Sequence, residues 1–215
     1  MKRKAIKNLE QIFYYLFLPH KFNEMKIDKS IAGSFVLLVL MASLYRIMPG
    51  RPLGFAPQIA MALFSGSVIA DKKFSFLMPL ASMLLSDIIY EVLFQFKLSS
   101  IPGFYEGQWV NYLLFVAITV IGFGINKNKW IQILAGSIAG VLMFFIASNF
   151  MVWIGGGLGL DNLPYPKTIN GLYSCMIAGL PFLKGSLYAT MFFSGIFFGA
   201  YYLLNKYVSA KPATA

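Results

Sequence analysis

Asp87 and Glu91 lie four positions apart inside the apolar run FSFLMPLASMLLSDIIYEVLFQF, residues 74–96. On a helix that spacing puts both carboxylates on one face. A carboxylate near mid-bilayer costs about 2.5–3.5 kcal/mol on insertion scales, so such groups turn inward and find partners. Three kinds of chemistry are open to them: pairing with a cation, holding a ligand, or acting as an acid/base pair, with Ser86 alongside. The enzymatic option is poorly supplied. The single histidine, His20, lies outside the apolar runs, and a serine–lysine arrangement would need Lys184 to reach Ser86. One Cys and one His also exclude a disulfide framework and an ordinary His/Cys metal site, and no cofactor is expected. Cys175 reads as a small packing residue.

The cations available to the acids are Arg46, at the end of an apolar segment, and Arg51, in the following stretch RIMPGRPLGFAPQIA. A guanidinium fork suits a carboxylate, so Arg46 is the first expected partner and Arg51 the second. Asn149, Asn111 and Lys184 occupy the ends of other apolar segments. From an inner start at Phe74, Asp87 lies about 20 Å into its helix and Glu91 one turn further. All of these groups then fall at one level, in the outer half. Glu91 reads as the more solvated of the two acids. Convergence at one depth points to an outward-facing pocket or a charge-satisfied plug.

The elements that must position these residues are membrane helices. The chain of 215 residues is 58% hydrophobic and 12% charged, with a mean hydropathy of +0.69. A soluble domain of this length has too little interior for that much apolar surface. The net charge of +10 does not indicate nucleic-acid binding, because the cations flank apolar runs and form no continuous basic face. Six spans are predicted at about 30–48, 55–70, 74–96, 109–125, 131–153 and 183–204, the second being short for a crossing. Residues 168–183, TINGLYSCMIAGLPFL, read as a short outer-face or re-entrant helix that starts at Thr168 as N-cap and closes at Pro181.

Lysine and arginine set the orientation. The N-terminal stretch, the 2–3 and 4–5 connections and the tail hold 13 of the 18 basic residues, and the other side holds Arg46, Arg51, Lys97, Lys167 and Lys184. Both termini are therefore expected in the cytoplasm. Residues 1–28 lack a cleavage site and read as a basic interfacial helix that touches anionic lipid or docks a cytoplasmic partner. Residues 29–206 form the membrane domain, and 207–215 a disordered tail. Gly136/Gly140 and Gly195/Gly199 give two GxxxG patterns, expected at helix contacts inside the bundle. Trp109, Trp153, Tyr165 and Tyr173 fit an interfacial aromatic belt or a ligand-stacking role. The three prolines and glycines of 49–57 make a rigid, turn-rich connector, and Pro57 suits the first turn of the next helix, whose positive end would point at the polar cluster.

Four stretches in order, PGRPLGFAPQIAMALFSGS, PLASMLLSDI, ASNFMVWIGGG and GLYSCMIAGLPFLKGSLYATMFFSGIFFG, resemble a bacterial family of uncharacterised six-span membrane proteins. That family is similar in layout to the substrate-binding S components of energy-coupling-factor transporters. The resemblance implies an all-α bundle of the inner membrane, an outer pocket and a cap formed by residues 46–58. It places Arg46, Arg51, Phe55, Asp87, Asn149 and Trp153 near the ligand, with Glu91, Asn111 and Lys184 as secondary candidates. The expected function is the substrate-capturing subunit of a micronutrient importer for a small polar or zwitterionic ligand. No P-loop is present, so ATP hydrolysis would come from energising subunits. The alternative is a non-transport scaffold or assembly protein with a purely structural ion cluster, working with another membrane protein. A cavity between Asp87, Asn149 and residues 46–58 would favour capture, and a solid Arg–Asp plug would favour the scaffold.

Overall fold

The computed structural model describes residues 29–159 and 161–209. These form six helices: α1 (Lys29–Ile47), α2 (Gln58–Val68), α3 (Lys72–Gln95), α4 (Trp109–Phe123), α5 (Trp130–Ile154) and α6 (Ile169–Ser209). The expectations for residues 1–28 and for most of the tail lie outside the described residues. α3, α5 and the Ile169–Lys206 part of α6 are long and apolar enough to cross a membrane.

The side-chain pattern is that of a membrane protein. On α3 the inward groups are Ser75, Ser82, Ser86 and Asp87, all buried, while Leu77, Leu84, Ile88 and Val92 are exposed. On α5, Leu134, Ile138, Leu142 and Ile146 recur every four residues along an exposed stripe. Polar inside and apolar outside reverses the order of a water-soluble bundle.

α2 differs from its predicted span. It has 11 residues, about 16 Å at helical rise against a hydrocarbon core of about 30 Å. Pro57 stands at its N-cap, and Asp71 already caps α3 by accepting from the backbone N–H of Lys73 at 2.8 Å. The intervening sequence leaves no room for more turns. α2 is instead the centre of the bundle, in contact with α3, α4, α5 and α6. Ala60, Met61, Phe64 and Val68 join Ala42, Met78, Phe197 and Phe198 in one core cluster. Ile59, Ala62 and Leu63 join Met83, Phe115, Ile118 and Val141 in a second. Glycines set the approach of α2 to α4: a Cβ at Gly66 would overlap the Thr119 carbonyl, and one at Gly122 the Leu63 carbonyl.

Pro79 lies fully buried inside α3. It has no N–H, so the carbonyl of Ser75, four residues back, loses its helical donor. Ser65 of α2 supplies a replacement, its hydroxyl donating to that carbonyl at 2.8 Å. The second internal proline changes the predicted architecture. Residues 168–183 do not form a separate helix: Pro181 is carried inside α6, which runs unbroken for 41 residues. Proline is tolerated in apolar bundles, where local adjustment re-satisfies the backbone, and it does not stop this helix. Thr168 does cap it, accepting from the Gly171 N–H at 3.2 Å. The two GxxxG patterns part company. Gly136 and Gly140 are buried, against Ile125 and Leu63, whereas a Cβ at Gly195 or Gly199 would meet nothing within 4 Å. The latter pair is not an internal contact.

Candidate functional site

The sequence places Arg46 in the last turn of α1, where a cation also suits the negative end of the helix. Opposite it, α3 presents Ser86 and Asp87. Arg46 Nη1 forms an ion pair with Asp87 Oδ1 and donates to Ser86 Oγ at 2.6 Å. The Arg46 side chain is 17% exposed and that of Asp87 only 1%. The second carboxylate oxygen is taken as well: Asp87 Oδ2 accepts from Gln108 Nε2 and from the Tyr112 hydroxyl, the latter at 2.6 Å. Three elements, α1, α3 and the start of α4, thus close on one buried carboxylate.

The segment between α3 and α4 seals this centre. Gln108 Nε2 also donates to the Gly103 carbonyl at 2.9 Å, and Gln108 Oε1 accepts from the Tyr105 N–H at 3.2 Å. Gly103 lies directly on α3: a Cβ there would overlap the Asp87 carbonyl and the Glu91 nitrogen. Glu91, half-buried, accepts from the N–H groups of Gly103 (3.1 Å) and Phe104 (3.4 Å) and from Gln95 Nε2 (2.7 Å). It pins the segment to the helix. Asn111 donates to the Tyr105 hydroxyl at 2.8 Å. Tyr105 is exposed along one side, and partial desolvation of the other is the main cause that holds its phenol above its usual range.

Towards the bundle centre the network continues. Ser86 Oγ donates to the carbonyls of Ser82 (3.0 Å) and Met83 (2.8 Å), so it offers no free nucleophile. Ser43 Oγ donates to the Ser82 carbonyl at 2.9 Å, and Gln58 Nε2 reaches the Ala42 carbonyl and Ser82 Oγ, each at 3.4 Å. Two buried atoms have no hydrogen-bond partner among the described residues, Gln58 Oε1 and Thr190 Oγ1. The Arg46 carbonyl accepts from the Tyr90 hydroxyl (2.8 Å) and from Arg51 Nε (3.2 Å).

The structure joins some of the predicted residues and separates others. Arg46 and Asp87 form the pair that their charges and depth predict, with Glu91 one turn beyond. Arg51 stitches its own segment, donating to the Phe55 carbonyl at 2.8 Å. Phe55 sits among the rings of Tyr45, Phe192 and Phe193 at centroid distances of 5.9–6.3 Å. Asn149 turns elsewhere: its Nδ2 donates to the Phe145 carbonyl at 2.8 Å, and its side chain fills the space above Gly179. Cys175, buried, donates to the Asn149 carbonyl at 3.4 Å. Trp153 Nε1 donates to the Pro166 carbonyl at 2.8 Å, and its own carbonyl accepts from Lys167 Nζ. Lys184 is exposed. Gln108, Tyr112, Tyr90 and Gly103 are the functional contacts that sequence reasoning misses. The spacing of Gln108 and Tyr112, one helical turn apart at the depth of Asp87, is the signal that could have found two of them.

Chemically, the centre is a carboxylate saturated with donors. It offers no lone base and no positioned nucleophile. Two cavities, of about 490 and 220 Å³, are lined by Phe94–Ser100 residues and by residues of the 127–128 and 201–206 segments, and neither is lined by Arg46, Asp87 or Asn149. No curated protein and no solved structure matches the chain. A family described as DUF6580, a family of unknown function, matches residues 28–213, and the chain belongs to that family.

Proposed function

We propose that the chain is a non-catalytic scaffold or assembly subunit of a bacterial inner membrane, and that the Arg46–Asp87 centre is its structural lock. The observation that carries this reading is closure. Both carboxylate oxygens of Asp87 are engaged, by Arg46, Gln108 and Tyr112, at 1% exposure. A ligand would have to displace three donors from a buried charge. The layout we adopt has six crossings with both termini in the cytoplasm. In that layout α2 makes the second crossing, buried among the other helices from Pro57 onward, and the partly exposed 48–56 segment leads into it from the outer side. Under this reading the basic residues 1–28 carry the interaction with another membrane or cytoplasmic protein. The test is affinity capture from solubilised membranes. Capture that survives Asp87→Asn and is lost on deletion of 1–28 supports the reading. Capture that ignores the deletion contradicts it.

A second reading, the substrate-capturing subunit of a micronutrient importer of the energy-coupling-factor type, has its own support. Residues 48–57 seat on α6, with Ser186 Oγ donating to the Gly54 carbonyl at 3.1 Å and Gly185 packed under Leu53. Four residues beyond Gly54 and Ser186 lie Gln58 and Thr190, whose buried side-chain oxygens lack hydrogen-bond partners among the described residues. A small polar ligand admitted beneath that segment would satisfy them. Arg46, Arg51 and Phe55, which the segment's own hydrogen bonds hold together, would then lie at the entry, with Asp87 beyond them. Mass-spectrometric screening of the purified protein for retained small molecules tests it. No retained ligand, with an unaltered growth requirement in a deletion strain, would count against it.

A further inference from the structure

The end of the bundle opposite Asp87 is built differently. There the start of α3, the 124–129 turn and the end of α6 meet. Lys72 Nζ lies 3.5 Å from the centroid of the Phe123 ring, and Lys127 Nζ lies 5.0 Å from that of Tyr201. Between the turn and the helix end is the cavity of about 220 Å³, lined by Lys127, Asn128, Tyr201, Tyr202, Asn205 and Lys206. Its lining holds two ammonium groups, two carboxamides and two phenols, and no acid. That donor set selects an anion, and lysines supply compact charge for phosphate. The cation–π contact with Tyr201 holds Lys127 at the wall.

The position narrows the anion further. The apolar run YYLL at the end of α6, a helix long and apolar enough to cross a membrane, gives way to Asn205 and Lys206, so the cavity sits at the water end of a spanning helix. Gly195, Gly199, Tyr202 and Lys206 follow one another at intervals of four, three and four, which places them on one helix face. The glycine part of that face is open, with nothing within 4 Å of a Cβ at either position. The glycines alone would mark no site. Below a cationic cavity they form a smooth track, with Phe192 and Ile196 exposed beside it.

We propose that this cavity binds the phosphodiester headgroup of an anionic phospholipid, with an acyl chain lying along the Gly195–Gly199 face. Basic pockets between membrane helices are suited to such headgroups. The test is native mass spectrometry of the detergent-purified full chain, titrated with phosphatidylglycerol, phosphatidylcholine or inorganic phosphate. The expected result is one phosphatidylglycerol per chain, held at least about tenfold more tightly than phosphatidylcholine. The pair K127Q/K206Q should weaken phosphatidylglycerol by a similar factor, and G195L/G199L should weaken it while sparing any phosphate effect. K73Q, at the same end but outside the lining, should leave it unchanged. Equal binding of the two lipids by the unaltered protein would overturn the proposal, even if the lysine pair fails to fold. So would undiminished binding by a folded K127Q/K206Q. Displacement of lipid by inorganic phosphate, with equal phosphate binding to G195L/G199L, would assign the site to a free anion instead.

Discussion

Ser65→Ala removes a hydroxyl that lies 3.1 Å from the Ala62 carbonyl of its own helix, which keeps its helical donor, and that bridges to the Ser75 carbonyl of α3. Pro79 removes the helical donor to the Ser75 carbonyl, and the Ser65 hydroxyl replaces it across the α2–α3 contact at 2.8 Å. Ser65, Ser75 and Pro79 are all buried, so water cannot take over. Alanine at 65 therefore orphans a buried carbonyl, at a cost of about 1–3 kcal/mol. For a domain of this size that corresponds to a loss of about 2–12 °C in Tm. Pro79→Ala restores an N–H four residues after Ser75, so the same Ser65→Ala change should become nearly neutral in that background. The assay is thermal unfolding of the four proteins in one detergent, followed by tryptophan fluorescence and by size-exclusion recovery. The predicted coupling between positions 65 and 79 is about 1–2 kcal/mol. Equal destabilisation by Ser65→Ala in both backgrounds would refute the reasoning, because the hydroxyl would then be acting on something other than the carbonyl freed by proline.

Other expectations follow from the same packing. Gly66→Leu drives a side chain into the Thr119 carbonyl, and should abolish recovery of monodisperse protein, as judged by size exclusion. Gly103→Ala lifts the 96–108 segment from α3; hydrogen exchange at residues 99–108 should accelerate at least about tenfold, which is about 1.4 kcal/mol of lost protection. Leu142→Glu places a charge on the exposed apolar stripe of α5, and membrane-inserted yield should fall, in line with an insertion cost of about 2.5–3.5 kcal/mol. Leu142→Phe should leave the yield unchanged.

How much of this was legible in the sequence depends on what each residue has to compete with. A carboxylate deep in an apolar run has few solutions, so Asp87 and its arginine could be named from charge and depth. Thr168 as a cap was legible for the same reason, because a helix start needs an acceptor. Gln108 and Tyr112 were harder to see: polar and aromatic groups at the end of a span are ordinary there, and only their spacing of one turn at the depth of Asp87 sets them apart. Asn149 was drawn into the cluster by depth alone. Depth fixes a level along the helix axis but not an azimuth, and Asn149 faces Gly179 of α6 instead. The predicted span at 55–70 is longer than α2 because an apolar pattern does not mark where Pro57 and the Asp71 cap bound the helix. α6 looked like two elements because Pro181 is a breaker in water and a tolerated kink site in an apolar bundle.

In the proposed reading Arg46 and Asp87 form a structural lock, and a double-mutant cycle between them measures this directly. Breaking one side, by Asp87→Asn or Arg46→Met, leaves a charge without its partner and should cost about 3–5 kcal/mol; combining the two, as R46M/D87N, keeps a carboxamide oxygen for Gln108 and Tyr112 and should recover most of that loss. Thermal stability of the four proteins, read in the same detergent, gives the coupling. A double variant near the unaltered protein, with both single variants well below it, is the predicted result. Single variants that unfold with the unaltered protein, or a double variant that loses the sum of the two, would contradict the lock.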